Sequence, residues 1–219
     1  MTRPRGPMKG RAWRWAARRV ERPASYSRLQ RFVGWSRVWE RFVAEVVRAH
    51  PGARVLDVGC GPADVLLFLP EGVHYEGIDT SRDYIEGAAR RHGVRGMFRV
   101  AQVQGETPTE PYDLVLVLGL LHHLDDAVAV EVLRAAAALA PNGRVLSLDG
   151  CRGATSTGLR GFFYDVDRGQ HVRDQAGYEA LARRAGLVPH SQRWAGMLRV
   201  PYTLLVMEMR GGDVPAGRG

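Results

Sequence analysis

The sequence has few of the features that mark a secreted or membrane-spanning protein. Only two of its 219 residues are cysteine, Cys60 and Cys151, so no disulfide framework is available and a reducing compartment is expected. No stretch approaches the roughly 20 uninterrupted apolar residues that a membrane-spanning helix requires. The N-terminus is basic but lacks the apolar segment of a signal peptide. We therefore expect a cytoplasmic protein, with Cys151 as a buried structural residue rather than a nucleophile.

Acidic residues are scarce at one end of the chain only. Residues 1–50 hold 13 Lys and Arg against three Glu, a net charge of +10 in a chain whose total is +8. The Arg-rich segment 1–22 can attract an anionic partner, either RNA or a membrane surface with Trp13 and Trp15 at the interface. Two other interpretations stay open: a solvated tail, or a short helix that packs by its apolar side.

From Arg54 onward, short apolar runs alternate with helix-like segments. Strands are predicted at 54–58, 73–78, 97–101, 112–118 and 143–148. Helices are predicted at 62–69, 81–92, 123–139 and 175–185. This alternation is typical of a parallel sheet with helices on both faces, a three-layer α/β/α sandwich. Two further strands, 187–194 and 202–209, are joined by a link too short for a helical crossover, so we expect them to pair antiparallel.

The residues before this domain predict a helical extension. An amphipathic helix is expected from Ser25 to about residue 49, ending at the Pro51-Gly52 turn. It is either a lid over the open side of the functional site or a covering helix held by its apolar face. The predicted organisation is a basic, flexible arm over 1–24, the covering helix over 25–50, the α/β domain over 51–211 and a flexible tail over 212–219.

The strongest local signal is a glycine turn after the first strand of the α/β domain. The run Val55 to Val58 leads into Gly59-Cys60-Gly61, and the glycines let a ligand lie against bare backbone. Asp79, at the end of the second strand, follows Gly59 by 20 residues, the spacing of a carboxylate that accepts hydrogen bonds from ribose hydroxyls. Together these features predict a nucleoside-containing ligand.

Two acidic residues indicate which nucleoside ligand is favoured. Asp64 stands where a dinucleotide site has its third glycine, and Asp57 lies just before the turn. Carboxylates at these positions would repel the pyrophosphate of a dinucleotide. They would not repel S-adenosylmethionine, which is cationic and carries no phosphate. The charge pattern therefore favours S-adenosylmethionine over a nicotinamide dinucleotide.

Five segments in order resemble class I S-adenosylmethionine-dependent methyltransferases. They are VLDVGCGPAD at 55–64, GID at 77–79, YDLV at 112–115, LGLLHHL at 118–124 and PNGR at 141–144. The resemblance spans about residues 50–150. It implies a Rossmann-like fold with a seven-stranded, mostly parallel sheet whose last strand is antiparallel. It also implies an enzyme that binds S-adenosylmethionine and releases S-adenosylhomocysteine.

The resemblance further implies which residues hold the cofactor. The turn Gly59-Cys60-Gly61 would face the methionine end with Asp57 nearby, and Asp79 would hold the ribose. Leu118 and Gly119 would lie beneath the sulfonium, and Thr80 is a further candidate for cofactor binding. Gln102 and Val103 occupy the adenine region, where Gln102 replaces a frequent acidic residue, and Ala63 replaces a frequent third glycine. His123 is a further candidate cofactor contact.

The methyl acceptor is predicted only as a small molecule that offers an oxygen, nitrogen or carbon atom. Candidate catalytic residues are His122, His123, Asp149, Tyr164 and His171. Either histidine can act as a general base or merely position the cofactor. The charged residues around Tyr164 and His171, including Arg173, can instead form a surface ion-pair network. No metal site is expected. The rival functions are an RNA methyltransferase that uses the basic arm, a membrane-associated methyltransferase acting on a quinone or lipid, and a cofactor-binding partner without turnover.

Overall fold

The computed structural model describes residues 34–107, 109–153, 171–199 and 202–211. The strands are β1 (Arg54–Val58), β2 (His74–Asp79), β3 (Gly96–Val100), β4 (Leu114–Leu118), β5 (Arg144–Gly150), β6 (Leu187–Trp194) and β7 (Leu204–Gly211). The α-helices in these ranges are α1 (Trp35–Phe42), α2 (Arg82–His92), α3 (Asp126–Leu139) and α4 (Gln175–Arg184). None of them is long and apolar enough to cross a membrane.

The seven strands form one sheet in the order β3-β2-β1-β4-β5-β7-β6. The neighbours from β3 to β5 all pair in parallel, and β7 is antiparallel to both β5 and β6. The predicted Rossmann-like fold with an antiparallel last strand is therefore confirmed. Because β1 to β5 run in the same direction, their carboxyl ends lie along one edge of the sheet, where open α/β sheets bind ligands.

Two hydrophobic clusters cover the two faces of the sheet. Successive residues of a strand point to opposite faces, and β4 shows this clearly. Val115 belongs to the cluster that contains Leu133 of α3 and Tyr178 of α4. Its neighbour Leu116 belongs to the cluster that contains Phe42 of α1 and Ile85 of α2. The sheet is thus buried between two layers of helices, as the strand and helix alternation predicted.

The covering helix differs in form from the single helix predicted for residues 25–49. Residues 25–33 lie outside the described ranges. The α-helix begins after Gly34 and ends at Phe42, and a π-helical turn, Val43–Val47, completes it. Arg144 of β5 donates from its guanidinium to the carbonyls of Val46 and Val47, which have no partner further along the helix. The guanidinium of Arg144 therefore caps the C-terminal end of the π-helical turn.

The helix predicted at 62–69 is wrong in type. The structure has only a 3₁₀ turn there, Asp64–Leu67. Ala63 before it has a left-handed conformation with φ 55°, and Pro70 follows three residues after it. An α-helix needs more residues than this interval offers, since its first hydrogen bond already spans five residues. The other predicted strands and helices are found within a few residues of their expected bounds.

Candidate functional site

The carboxyl edge of the sheet brings together most of the predicted site residues. Asp57 lies near the end of β1 and the glycine turn follows that strand. Asp79 ends β2, and Leu118 ends β4 with Gly119 directly after it. Asp149 lies near the end of β5, directly beside the β4–α3 loop that carries His122 and His123. These residues are far apart in sequence, and they meet because parallel strands share one edge.

The glycine turn is held against β2 by its main chain. The N–H groups of Gly59 and Cys60 both donate to the carbonyl of Ile78, at 2.8 and 3.1 Å. Gly61 has φ +50° and is buried, yet a Cβ added there would have no heavy atom beyond its chain neighbours within 4 Å. The Gly61 main chain is therefore buried, but the space where a side chain would lie is empty. We call this space the glycine cradle, and any side chain at position 61 would fill it.

The thiol of Cys60 packs on the sheet and faces β2. A Cβ on Gly77 would lie 2.8 Å from the Cys60 Sγ atom, so the two chains approach each other closely at this point. Burial raises the pKa of the thiol well above its usual range. The sulfur is therefore a packed and protonated group, which leaves the main chain of Cys60 for the cofactor contact expected of it.

Asp57 is a buried carboxylate next to this turn. Its Oδ2 atom accepts a hydrogen bond of 2.6 Å from the hydroxyl of Tyr75, while Oδ1 has no hydrogen-bond partner among the described residues. Burial raises the pKa of Asp57 to about 7, the Tyr75 hydrogen bond lowers it, and the charge of Asp79 raises it. A buried acceptor without a partner requires an explanation, and a cationic ligand beside it would supply one.

Asp79 links the glycine turn to the start of α2. Its Oδ2 atom accepts from the Gly61 N–H at 3.0 Å, and its Oδ1 atom accepts from the Ser81 N–H at 2.8 Å. Burial raises the pKa of this carboxyl. Each oxygen of a carboxylate can accept two hydrogen bonds, so both keep capacity for a ribose hydroxyl. Thr80, half-buried, lies between Asp79 and Ser81.

The predicted adenine region follows β3. Gln102 is exposed and extended, and it precedes a 3₁₀ turn, Val103–Gly105. Val103 is buried in the hydrophobic cluster that contains α3. The exposed amide of Gln102 is thus available to a ligand, whereas the Val103 side chain packs into the protein.

His122 and Asp149 form a buried pair at the ends of β4 and β5. The 3₁₀ turn Leu121–His123 follows Gly119, and it carries the His122 ring to 2.8 Å from Asp149, measured from Nδ1 to Oδ1. The main-chain N–H of His122 donates to the same oxygen at 3.2 Å. A carboxylate only accepts, so Nδ1 carries the proton and Nε2 is the basic atom of the neutral ring. The His123 ring lies 4.1 Å away, centroid to centroid.

The remaining candidate catalytic residues differ in what the structure describes. His171 is half-buried, and its main-chain N–H donates to the His122 carbonyl at 3.0 Å. Its backbone therefore lies against the histidine turn. Tyr164 lies outside the described ranges, as do the acidic residues proposed as ion-pair partners of Arg173 at positions 165 and 167. Among the described residues, Arg173 pairs with Asp126, at 2.7 Å.

The sequence interpretation missed Tyr75 and the structural role of Arg173. The Arg173 guanidinium donates to the carbonyls of Leu121 and Leu124, which fixes the turn that carries His122. Nothing in the local sequence indicates these contacts. For Tyr75 a signal existed, because residues two apart on a strand share one face. That alternation puts the Tyr75 hydroxyl on the face of the sheet that also carries Asp79.

The fold and this site define a class I S-adenosylmethionine-dependent methyltransferase. The cofactor supplies a methyl group on a cationic sulfonium. The residues present fit such a ligand, since the site offers an open glycine cradle, a buried carboxylate oxygen without a partner and a second carboxylate at the tip of β2. Residues 27–192 match the family described as "Methyltransferase domain", and the chain belongs to that family of enzymes.

Individual relatives agree with this assignment. The chain is 27% identical to the demethylmenaquinone methyltransferase of Anoxybacillus flavithermus, over 88% of its own length and 92% of that protein. It is 30% identical to the ubiquinone biosynthesis O-methyltransferase of Bordetella parapertussis, with 74% and 72% of the two chains covered. The magnesium protoporphyrin IX methyltransferase of Synechocystis has the same fold, with a TM-score of 0.64, 18% identity and 91% and 93% of the two chains covered.

Proposed function

We propose that this enzyme methylates the hydroxyl oxygen of a small aromatic acceptor, with His122 as the general base and Asp149 as the residue that orients it. The observation that carries the proposal is the 2.8 Å contact between the His122 Nδ1 and the Asp149 Oδ1 at the carboxyl edge of the sheet. Two relatives support the acceptor class, since their names refer to menaquinone and ubiquinone compounds.

The pair explains why a hydroxyl is favoured over an amine. A neutral amine attacks a methyl group without prior loss of a proton, whereas a phenolic hydroxyl becomes a good nucleophile when a base removes its proton. Asp149 keeps the Nδ1 proton of His122 in place, so Nε2 receives the proton of the acceptor. Alignment of the acceptor with the cofactor provides the remaining rate acceleration, because the attacking oxygen must approach the methyl carbon at about 3–3.5 Å.

The test is turnover of S-adenosylmethionine to S-adenosylhomocysteine with a panel of acceptors. The panel contains catechols, quinols and primary amines, and mass spectrometry identifies the products. We expect a methyl ether from a phenolic acceptor. His122→Ala should lower kcat by about 10²- to 10⁴-fold and leave S-adenosylhomocysteine affinity unchanged. Asp149→Asn should also lower kcat. His74→Ala, an exposed histidine at the amino end of β2, is the matched control.

The contrary outcomes are specific. Methylation of amines alone would remove the argument for a base. Full activity of His122→Ala with a phenolic acceptor would remove the assignment of His122, and His123 or His171 would then be tested as the base.

We also propose that the basic segment 1–22 binds an anionic partner in the cytoplasm. In this proposal the segment is a unit of its own, distinct from the covering helix over 25–50, the domain over 51–211 and the tail over 212–219. Residues 1–22 hold eight Lys and Arg against one Glu, a net charge of +7, which supports this. Deletion of residues 1–22 should reduce flotation with anionic liposomes if the surface is a membrane. If the partner is RNA, the deletion should instead remove a binding that weakens steeply with salt. Loss of neither interaction would identify the segment as a solvated tail.

A further inference from the structure

Tyr75 and Asp57 form a buried pair beneath the glycine turn. Tyr75 is 3% exposed, Asp57 is 2% exposed, and the Tyr75 hydroxyl donates to the Asp57 Oδ2 atom at 2.6 Å. The other titratable groups that act on the pair are Asp79 at the end of β2, Asp64 in the 3₁₀ turn and the Cys60 thiol. The charged members of this set are all acidic, and the charge of Asp79 disfavours the ionised form of Asp57.

The sheet register explains how the tyrosine reaches the carboxylate. Tyr75 is opposite Val55, and Gly77 is opposite Asp57. The Tyr75 ring must therefore lean toward the carboxyl edge, and glycine at position 96 of β3 provides the room. A Cβ on Gly96 would lie 2.7 Å from the Cδ1 atom of the Tyr75 ring. Phe98 packs on the other part of the ring, with centroids 5.9 Å apart.

The two oxygens of Asp57 consequently have different environments. Oδ2 is occupied by the Tyr75 hydroxyl, and Oδ1 is buried without a partner in the described part of the chain. The glycine turn begins two residues further on, and the cradle at Gly61 is open. An N–H donor or a cation from a ligand in that cradle would satisfy Oδ1 and offset the cost of burying a charged carboxylate.

We propose that Tyr75 is a positioning residue for cofactor binding, because its hydroxyl holds the Asp57 Oδ2 atom and leaves Oδ1 to receive the ammonium group of S-adenosylmethionine. The ammonium group is part of the methionine moiety, and it remains in S-adenosylhomocysteine. Binding of this cation favours ionised Asp57, so a fraction of the protein releases a proton from Asp57 when the ligand binds near neutral pH.

A pH dependence of binding follows, and its sign is fixed. Burial raises the pKa of free Asp57 to about 7, and a bound cation lowers that pKa again. Affinity should therefore rise as pH increases through about 7 and level off above it. The Tyr75 hydroxyl lowers the pKa of Asp57, so its removal moves this rise to higher pH.

The experiment is calorimetric titration of the full chain with S-adenosylhomocysteine between pH 6 and pH 8.5. Tyr75→Phe should lower affinity about tenfold at pH 7, and the loss should shrink toward pH 8.5. Tyr112→Phe is the matched control. Its hydroxyl donates to the Glu76 Oε2 atom at the same distance of 2.6 Å, from the opposite face of β2. This control should bind like the wild type at every pH.

Asp57→Asn keeps the test valid if Tyr75→Phe folds poorly. An amide does not titrate, so this variant should bind more weakly and lose the rise in affinity near pH 7. The proposal is overturned if Tyr75→Phe keeps the wild-type pH profile, or if Asp57→Asn retains the full rise. An equal shift in Tyr112→Phe would also overturn it.

Discussion

Gly61 provides the sharpest test of the cofactor cradle. Its φ of +50° costs an L-residue about 1–2 kcal/mol. The reduced freedom of the unfolded chain returns about 0.4–1 kcal/mol when glycine becomes alanine. Gly61→Ala should therefore destabilise the protein by about 1 kcal/mol. The added methyl group meets no protein atom beyond its chain neighbours within 4 Å, so no steric clash inside the protein adds to this loss.

Gly186→Ala is the matched control for this substitution. Gly186 has φ +82°, and a Cβ there also has nothing within 4 Å. It precedes β6 at the opposite edge of the sheet from the site. Both variants should lose similar stability in denaturant unfolding. Only Gly61→Ala should lose S-adenosylhomocysteine affinity, by at least about tenfold, or about 1.4 kcal/mol. Wild-type affinity in Gly61→Ala would refute the assignment of the cradle, and an equal loss in both variants would show a general effect of the backbone change.

Three further predictions concern the frame around the site. Arg144→Met should cost about 1–3 kcal/mol in denaturant unfolding, because two carbonyls of the π-helical turn lose their donor. Arg173→Ala should destabilise by about 2–4 kcal/mol in denaturant unfolding. Arg184→Ala should stay within about 0.5 kcal/mol, since the 54% exposed Arg184 makes only a surface pair with the same Asp126. Equal losses would contradict the role of Arg173 in holding the Leu121 and Leu124 carbonyls. Hydrogen bonds from Ser191, Gln175 and Arg183 hold the pKa of Glu179 at about 2, so Glu179→Gln should cost about 1–2 kcal/mol at pH 7, and the difference should disappear as unfolding is measured from pH 4.5 down to pH 2.

Much of the fold is predictable from local sequence. Apolar runs that end in glycine or acidic residues predict buried parallel strands, and β1 is found where its pattern predicts it, at Arg54–Val58. Asp125 caps α3 through the Val128 N–H, as its position before the helix indicates. The glycine turn and the carboxylate at the end of β2 follow from two short motifs. These features are local, so each depends on a few adjacent residues.

The features that escaped prediction depend on contacts between distant segments. A left-handed Ala63 is not visible in the sequence, because nonglycine residues rarely adopt that conformation. The π-helical turn depends on Arg144, about 100 residues further along the chain. The pairing of His122 with Asp149 requires β4 and β5 to be neighbours, with Leu118 opposite Leu148. Both residues were candidates, but only the strand register shows that they touch.

The strands of the sheet are buried to different extents, and this difference determines which strands we expect the cofactor to stabilise most. None of the five residues of β3 is buried, whereas four of the five in β4 are. Short 3₁₀ turns follow β1 and β3, whereas α-helices follow β2, β4 and β5. Met97 of β3 is 64% exposed. On that face of β3, ion pairs of the Arg99 guanidinium with Glu76 and Glu106 cover the sheet, and no helix packs there among the described residues. Exposed ion pairs contribute little stability, so we expect β2 and β3 to open more readily than β5 and β7.

Cofactor binding should therefore stabilise this half of the sheet most. A ligand that binds only the folded protein at 100 times its Kd adds about 2.7 kcal/mol. Its expected contacts are the glycine turn directly after β1 and Asp79 at the end of β2. Amide hydrogen exchange with and without S-adenosylhomocysteine should show the largest gain in protection in β1 and β2, and little gain in β6 and β7. At the same ligand concentration, Gly61→Ala should show a smaller gain, because a tenfold weaker Kd lowers the added stability by about 1.4 kcal/mol. Uniform protection of all seven strands would mean that the sheet opens only as one unit, and the uneven burial would then have no consequence for local stability.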